Sequence, residues 1–470
     1  MLRDVARSTA FDALRAVDER DAYANLVLPG LLRDRGLDER DAALATELVY
    51  GTLRGLGTYD VVLGECLDRP LDRLDAPIRD VLRLGAHQAL NTRIPAHAAV
   101  AATVDLARAR VGAGPAKLVN AVLRRVSATD LDGWVERLAP TDPIDRLALR
   151  HAHPSWIVRA FQDALGGDEA ELAACLAADN ERPGVTLVAR PGRCTVEELV
   201  TAGARPTRWS PFGAVLGDGN PGRIAAVREQ RAGVQDEGSQ LVTLALAAAP
   251  VLPGRVEPDG SPVREPVPAE PDWSAGTARD SQWLDLCAGP GGKAALLAGL
   301  AADRGASLVA VEQRKHRARL VERALAGAAG DHRVIVADGR DPLPDTGPFD
   351  RVLLDAPCSG LGALRRRPEA RWRRRPADIA ALRPLQVELL EAALTAARPG
   401  GVVAYVTCSP HLAETATVVG DVLGGRNDVE RMDARRYLPD MPSLGDGPHV
   451  QLWPHRHGTD AMYLALLRRR

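Results

Sequence analysis

The fold of this chain is decided by the stretch "QWLDLCAGPGGKAALLAGLAA", residues 282–302. It opens with a short apolar run typical of a buried strand and closes with apolar residues that suit a helix. Gly289, Gly291 and Gly292 lie between the two parts, where glycine lets the backbone approach a ligand and the helix presents free N–H groups. The stretch therefore predicts a strand, a ligand-binding loop and a helix.

The same order of elements repeats toward the C-terminus. "SLVAVEQRKHRARLVERALAGA" (307–328) predicts a strand and a helix, while "FDRVLLDAPCSG" (349–360) and "GGVVAYVTCSP" (400–410) predict strands that end in tight turns. Alternating strands and helices predict a doubly wound, Rossmann-like α/β domain with a parallel sheet and helices on both faces. Ligands of such sheets bind at the carboxyl ends of the strands, where the polar residues discussed below all fall.

The N-terminal part has a different pattern, in which apolar residues recur at helical spacing and Gly and Pro mark the joins. It predicts an all-α domain. The predicted organisation is an all-α domain at 1–127, a connector at 128–145, a small α+β subdomain at 146–232 and the α/β domain at 233–470, with a Pro-rich insertion at 250–280 expected to be disordered.

Composition narrows the possible classes of protein. With 470 residues the chain can bury more than one core, and it contains no apolar run of about 18 residues that would indicate a membrane span. The N-terminus is charged early, so we expect no export and a cytoplasmic location. None of the six cysteines forms a CxxC pair, so we expect no metal. The net charge of −2 does not indicate a nucleic-acid partner.

The cofactor expected in the loop is an adenosyl ligand without phosphates. The loop is neither GxGxxG nor a phosphate-binding GK[ST] loop, because Ala294 follows Lys293. Glu312 at the end of the next strand can accept hydrogen bonds from a ribose, and Asp338 after the third can accept one from an adenine amino group. Each acid alone could be a solvated loop residue, but together they point to S-adenosyl-L-methionine.

Cys358 and Cys408 lie at the ends of two strands, each in a Pro/Ser turn. C5 of cytosine is too weak a nucleophile to attack a methyl sulfonium, but a thiolate that adds to C6 makes C5 reactive. An acid such as Asp355 would bind or protonate N3 of the base. A single cysteine could be a small buried packing residue, and the chemistry permits either thiol as nucleophile. Four cysteines are predicted to pack rather than to take part in catalysis: Cys66, Cys175, Cys194 and Cys287.

An arginine-rich stretch follows Cys358. Seven arginines lie between 365 and 375, with Trp372 among them. Arginine contacts to phosphates would supply affinity for RNA, although only three of the 60 basic residues are lysines, so arginine is over-used throughout and a solvated loop is the alternative. The predicted RNA-binding residues are Arg365, Arg366, Arg367, Arg371 and Arg373.

The motifs "DLCAGPGGK", "DAPCSGLG" and "VTCSP" together resemble RNA (cytosine-5) methyltransferases of the Sun/Nop type. The helical start, with "ATELVYGTLR" and "KLVNAVLRR", resembles the NusB-like RNA-binding domain of the RsmB branch, which acts on 16S ribosomal RNA. The resemblance covers nearly the whole chain apart from 250–280. In place of the usual Ala and Thr of the cofactor motif, this chain has Gly289 and Ala294, and neither change removes a catalytic group.

The resemblance implies roles for individual residues. It implies that Cys408 is the nucleophile, that Cys358 aids product release and that Asp355 lies beside cofactor and target base. It also implies a monomer that methylates small-subunit rRNA. Two alternatives remain open, namely the same chemistry on tRNA and an RNA-binding factor with a vestigial catalytic domain. The cofactor residues implied are Cys287, Ala288, Gly289, Pro290, Gly291, Gly292, Lys293, Glu312, Asp338 and Asp355.

Overall fold

The computed structural model describes residues 4–217, 219–252 and 280–470. It divides into two compact units, one made of residues 1–182 with 364–374, the other of 183–363 with 375–470. The boundary at 182 falls inside the segment expected to form one small subdomain. Most of the Pro-rich insertion expected at 250–280 lies outside the described residues.

The first unit is helical, which confirms the predicted all-α start. Aspartates cap several of its helices, as where Asp4 accepts from Arg7 N–H at 2.9 Å and Asp38 from Asp41 N–H at 2.8 Å. Its ten helices before residue 183 are α1 Val5–Arg20, α2 Ala24–Asp34, α3 Glu39–Glu65, α4 Ala76–Asn91, α5 Ala96–Arg110, α6 Ala113–Val126, α7 Leu131–Leu138, α8 Pro143–His151, α9 Ser155–Ala164 and α10 Glu169–Ala178.

The segment 128–145, expected as a connector, contains α7 and the start of α8. Trp134 of α7 is 4% exposed, packs on the helical core and donates its indole N–H to the Val126 carbonyl at 2.8 Å. One buried tryptophan with a satisfied N–H is enough to fix this short helix to the domain.

The second unit begins with a small antiparallel sheet and continues into the α/β domain. The small sheet has the strand order β2-β3-β1-β4 and its own apolar core. The elements of this part of the chain, of which α16 belongs to the first unit, are β1 Val185–Ala189, α11 Val196–Thr201, β2 Arg205–Pro206, β3 Gly213–Leu216, α12 Ala225–Arg228, β4 Ala232–Val234, α13 Glu237–Ala248, β5 Gln282–Asp285, α14 Gly292–Ala302, β6 Ser307–Val311, α15 Lys315–Leu325, β7 His332–Ile335, β8 Phe349–Asp355, α16 Ala370–Arg373, α17 Pro376–Ala396, β9 Ala397–Thr407, α18 Ala416–Gly424, β10 Val429–Met432, β11 Val450–Gln451, α19 Pro454–His457 and β12 Tyr463–Arg469.

The main sheet has eight strands in the order β10-β12-β9-β8-β5-β6-β7, with β11 paired to β12. Strands β5 to β9 are parallel, and apolar clusters cover both faces of the sheet, which confirms the predicted α/β fold. Antiparallel strands at the β9 edge were not predicted. There β12 runs back along β9, with Tyr463 opposite Thr407. No helix in the described ranges is long and apolar enough to cross a membrane.

Candidate active site

The carboxyl edge of the parallel sheet gathers the residues singled out in the sequence. Asp285 ends β5, Glu312 directly follows β6, Asp355 ends β8 and Cys408 directly follows β9. Because these strands are parallel neighbours, their ends meet at one edge. Asp338 belongs to the same edge but lies in the turn beyond β7, which ends at Ile335.

The loop between β5 and α14 needs glycine at two positions. Gly291 precedes α14 with φ +109°, a backbone conformation that other residues rarely adopt. A Cβ at Gly289 would lie 2.1 Å from the Glu312 Oε2 atom, so only glycine lets the loop come this close to the carboxylate. Glycine at 289 therefore leaves room for the Glu312 carboxylate.

The two acids expected to hold the adenosyl group differ in their surroundings. Glu312 is 5% exposed and accepts from the Arg314 N–H at 2.9 Å, with Arg317 3.4 Å away. Asp338 is bound by the Arg340 guanidinium at 2.8 Å and by the Gln313 amide, and hydrogen bonds from Arg340 lower its pKa to about 2. Both acids are therefore acceptors, and Asp338 has protein donors on both of its oxygens.

Asp285 is wholly buried, and neither of its carboxylate oxygens has a hydrogen-bond partner among the described residues. Burial, with Asp355 nearby, raises the pKa of Asp285 to about 8. Buried carboxyls without hydrogen-bond partners are rare, so Asp285 is a candidate to bind a polar ligand group beneath the loop. The sequence predicted Asp285 at the sheet edge but no role for it. Its hydrogen-bond partners, or their absence, could not be predicted from the local sequence.

Lys293 and Asp355 form the ion pair at the centre of this edge. The Lys293 Nζ atom lies 2.8 Å from Asp355 Oδ2, and the two side chains are 13% and 28% exposed. Burial disfavours the ammonium, but the charges of Asp355 and Cys408 outweigh this and raise the pKa of Lys293. The Lys293 ammonium thus interacts electrostatically with both the Asp355 carboxylate and Cys408.

The two cysteines are in contact. Cys358 Sγ lies 3.4 Å from Cys408 Sγ. The hydrogen bond to Cys408 and burial raise the pKa of the Cys358 thiol well above its usual value. Either sulfur could donate in this contact, and the raised pKa of Cys358 favours the proton on that thiol.

A buried polar cluster, which the sequence did not reveal, joins the turns that carry these cysteines. Glu414 is completely buried and accepts from the Ser359 N–H at 2.7 Å, from the Ser359 hydroxyl and from the Gln386 amide at 3.2 Å. The Ser359 hydroxyl is also 3.2 Å from that of Ser409. These residues had no recognisable spacing along the chain, because they come from three separate segments.

Gly362 is a second link between the two turns. Its N–H donates to the Cys408 carbonyl at 2.8 Å, and its carbonyl accepts from the Ala461 N–H at 2.8 Å. A Cβ at this position would lie 2.0 Å from the Ala461 oxygen. The last glycine of "DAPCSGLG" is therefore required by close packing rather than by a ligand.

The arginine-rich segment requires a correction. Arg371 is completely buried, where it donates to the Asn180 side chain at 2.7 Å and to the Asp179 carbonyl at 2.8 Å. Arg373 donates to the carbonyls of Val17, Asp21 and Ala22 within the same helical unit. Their donors bind protein carbonyls, so the structure does not support Arg371 and Arg373 as RNA ligands.

Of the remaining arginines in the segment, Arg365 is 8% exposed, so its side chain is also largely withdrawn from solvent. Arg366 is half-buried, and Arg367 is exposed with its guanidinium 5.3 Å from the Tyr23 ring. RNA binding stays a prediction for Arg366 and Arg367.

The other cysteines behave as packing residues. Cys66, Cys175 and Cys194 are buried, as predicted. Burial raises the pKa of the Cys287 thiol, so it is protonated and unreactive in the loop. No group of three metal-binding side chains occurs in the part of the chain that the structure describes.

Two family models match the chain. Residues 276–468 match the model described as 16S rRNA methyltransferase RsmB/F, and residues 4–128 match the NusB family. The second match falls on the helical unit and the first on the α/β domain with all the residues of the candidate site.

Similar proteins are aligned over nearly their whole length. Rv1407 of Mycobacterium tuberculosis, named as a candidate methyltransferase, is 53% identical over 99% of this chain and 97% of its own. Ribosomal RNA small subunit methyltransferase B of Pseudomonas putida is 32% identical, with 98% of each chain covered. The crystal structure of PH0851 has a TM-score of 0.76 at 21% identity and covers 100% of this chain and 98% of that one, a likeness of fold.

Proposed function

Because this chain belongs to the RsmB/F family of 16S rRNA methyltransferases, we propose that it methylates C5 of one cytosine in 16S rRNA, with Cys408 as nucleophile and Cys358 as the residue that aids release. The observation that carries the proposal is the contact of Cys358 with Cys408 at the sheet edge that holds Lys293 and Asp355. A second copy of the chain is not required by this chemistry, so we expect a monomer, acting in the cytoplasm where ribosomal RNA is modified.

S-adenosyl-L-methionine is the cofactor of this family, and the residues present fit it. The Gly289–Gly292 loop allows close approach of a ligand, Glu312 offers a buried acceptor beside it and Asp285 is a buried carboxyl without a protein partner. The loop segment from Cys287 to Lys293 would hold the methionine part, with Glu312 on the ribose and Asp338 on the adenine. When bound, the cofactor supplies an electrophilic methyl group.

Cys408 is better suited than Cys358 to attack C6 of the cytosine. Its sulfur lies 3.4 Å from that of Cys358, whose raised pKa favours the protonated form, and close enough to Lys293 to raise the pKa of that ammonium. Both neighbours stabilise a thiolate, which is the nucleophilic form of cysteine. Geometry therefore favours the assignment that the family resemblance implied and that chemistry alone left open.

The steps balance without another reactant. The Cys408 thiolate forms a bond to C6, and the electrons of the C5–C6 double bond shift toward C5 and N3. Asp355 would give a proton to N3 and take it back when the ring is restored. C5 would take the methyl group from the sulfonium of bound S-adenosyl-L-methionine, whose sulfur would keep the electron pair of the broken S–C bond and leave as a neutral thioether. C5 then loses its proton to a base, and the electron pair of that C–H bond expels the Cys408 thiolate. Cys358, which holds a proton beside the leaving sulfur, is placed to assist this last step.

The test uses the full-length protein, S-adenosylmethionine with a labelled methyl group, and transcripts of 16S rRNA and of tRNA. We expect label in 16S rRNA at a single cytosine, located by bisulfite sequencing. A transcript with 5-fluorocytidine at that position should remain covalently attached, because C5 then has no proton to lose. If label appears in tRNA alone, tRNA is the substrate and the proposal of 16S rRNA is wrong. Cofactor binding without methyl transfer to either RNA would favour a vestigial catalytic domain.

A further inference from the structure

Glu414 lies outside the residues that contact substrate or cofactor in the proposed reaction, yet its carboxylate is at the centre of the turns that carry both cysteines. It lies at the end of a short 3-10 turn, Leu412–Glu414, after β9. The carboxylate is completely buried and far more constrained than a surface acid. A buried carboxylate is retained only where donors compensate for the loss of water.

Its donors come from the segment after β8 and from α17. Glu414 Oε1 accepts from the Ser359 N–H at 2.7 Å and from Gln386 Nε2 at 3.2 Å, and Oε2 accepts from the Ser359 hydroxyl. The same Gln386 amide donates to the Pro357 carbonyl at 2.8 Å. The residues on both sides of Cys358 are therefore bound to one acid and its amide partner.

The link continues to Cys408. The Ser359 hydroxyl lies 3.2 Å from the hydroxyl of Ser409, which directly follows Cys408, and Ser409 in turn accepts from the His411 N–H at 3.2 Å. The Glu414 carbonyl accepts from the Tyr405 hydroxyl at 2.8 Å, which ties the acid to β9 itself. The network thus runs from the Cys358 turn through Glu414 to the strand and turn that present Cys408.

We propose that Glu414 is a positioning residue for methyl transfer, one that holds the Cys358 and Cys408 turns together and keeps Cys358 as the protonated partner of the pair. None of the three donors to its carboxylate is a cation, so its negative charge acts directly on its surroundings. That charge is one of the influences that raise the pKa of the Cys358 thiol, alongside Cys408 and burial. The acid therefore has a geometric effect and an electrostatic effect, which two substitutions can separate.

Glu414→Gln removes the charge and places an amide where one oxygen now accepts a donor. We expect kcat for RNA methylation to fall by about 10- to 100-fold, since small misplacements of reacting groups have effects of this size. KM values for S-adenosylmethionine and RNA should stay within about twofold, because Glu414 contacts neither in the proposed site. In the absence of RNA, alkylation of Cys358 by iodoacetamide should begin at a lower pH than in the wild type.

Glu414→Asp keeps the charge but shortens the side chain. We expect the pH profile of Cys358 alkylation to return toward that of the wild type while kcat stays reduced. The matched control is Asp421→Asn, on the neighbouring helix α18, where an exposed carboxylate pairs with Arg383 and should affect neither measurement. If Glu414→Gln does not fold, Ser359→Ala removes the hydroxyl link and should lower kcat by itself.

The inference rests on the proposed function, but the alkylation profile does not require methylation, so the two can fail separately. If Glu414→Gln leaves both kcat and the alkylation profile unchanged, Glu414 has no positioning role. If Glu414→Gln lowers the melting temperature and makes the other thiols reactive, but leaves the pH profile of Cys358 alkylation unshifted, Glu414 is only structural. Failure of every variant, and of the wild type, to methylate RNA would overturn the proposed function instead.

Discussion

Cys358 Sγ lies 3.4 Å from Cys408 Sγ, close enough for one thiol to donate a hydrogen bond to the other. In the proposed reaction, Cys408 attacks and Cys358, which keeps its proton, assists departure. The relationship joins residues that lie 50 positions apart in the chain.

The first prediction is that alanine substitutions of the two cysteines block the reaction at different steps. Cys408→Ala cannot form the bond to C6, so methyl transfer stops and no protein–RNA adduct forms. Cys358→Ala still attacks but cannot complete release, so an adduct should accumulate that survives denaturing gel electrophoresis, and only with S-adenosylmethionine and the target cytosine present. Cys194→Ala, in the apolar core beside the small sheet, serves as the control. An adduct in the Cys408 variant instead would make Cys358 the nucleophile.

The second prediction concerns Glu312 and the glycine that faces it. Glu312→Ala removes a charged acceptor and should weaken S-adenosylmethionine binding by about 1.5–3 kcal/mol, roughly 10- to 150-fold, measured by calorimetry. Asp338→Ala should weaken it in the same direction. Gly289→Ala should also weaken it, because the new Cβ would displace the Glu312 carboxylate.

Gly420→Ala is the control for the glycine substitution, since a Cβ there, on helix α18, meets no atom within 4 Å. It should leave cofactor affinity unchanged and stabilise the helix by up to about 1 kcal/mol. Cofactor affinities within about twofold of the wild type for both Glu312→Ala and Gly289→Ala would show that the proposed contacts at the strand ends are wrong.

The third prediction is a pH dependence of stability that arises from Asp285. Its pKa of about 8 in the fold exceeds the value near 4 of an unfolded chain, so the folded state binds more protons between those values. The stability that this group contributes is present below about pH 4 and is lost as pH rises through about 8. The melting temperature of the wild type, relative to that of Asp285→Asn, should therefore fall as the pH is raised from 5 to 8.5. A constant difference would mean that Asp285 titrates normally in the apo protein.

The fourth prediction tests the correction to the arginine segment. Arg371→Met should destabilise the protein by about 2–5 kcal/mol, because it leaves buried carbonyls without their donor. Arg367→Met changes an exposed side chain and should have little effect on the melting temperature, but should weaken RNA binding if this part of the segment contacts phosphate. A stable Arg371→Met variant with reduced RNA affinity would restore Arg371 as an RNA ligand.

The elements themselves were largely predictable because helices, strands and tight turns leave local patterns. The helical start, the five parallel strands and the loop of residues 287–293 all follow from apolar periodicity and glycine placement within short windows. The antiparallel strands β10 to β12 were missed because their pairing depends on a distant partner strand. The family motifs supplied the roles that spacing left open.

The sequence by itself determined which polar residues stand at strand ends, because a strand that ends in a turn fixes the next side chain locally. Tertiary structure alone decided that Cys358 touches Cys408, that Glu414 joins two turns and that Arg371 is buried. It also decided that Asp285 finds no hydrogen-bond partner among the described residues. Burial and hydrogen-bond partners depend on which segments meet after folding. The residue type alone does not determine whether a carboxylate or guanidinium faces water or protein groups.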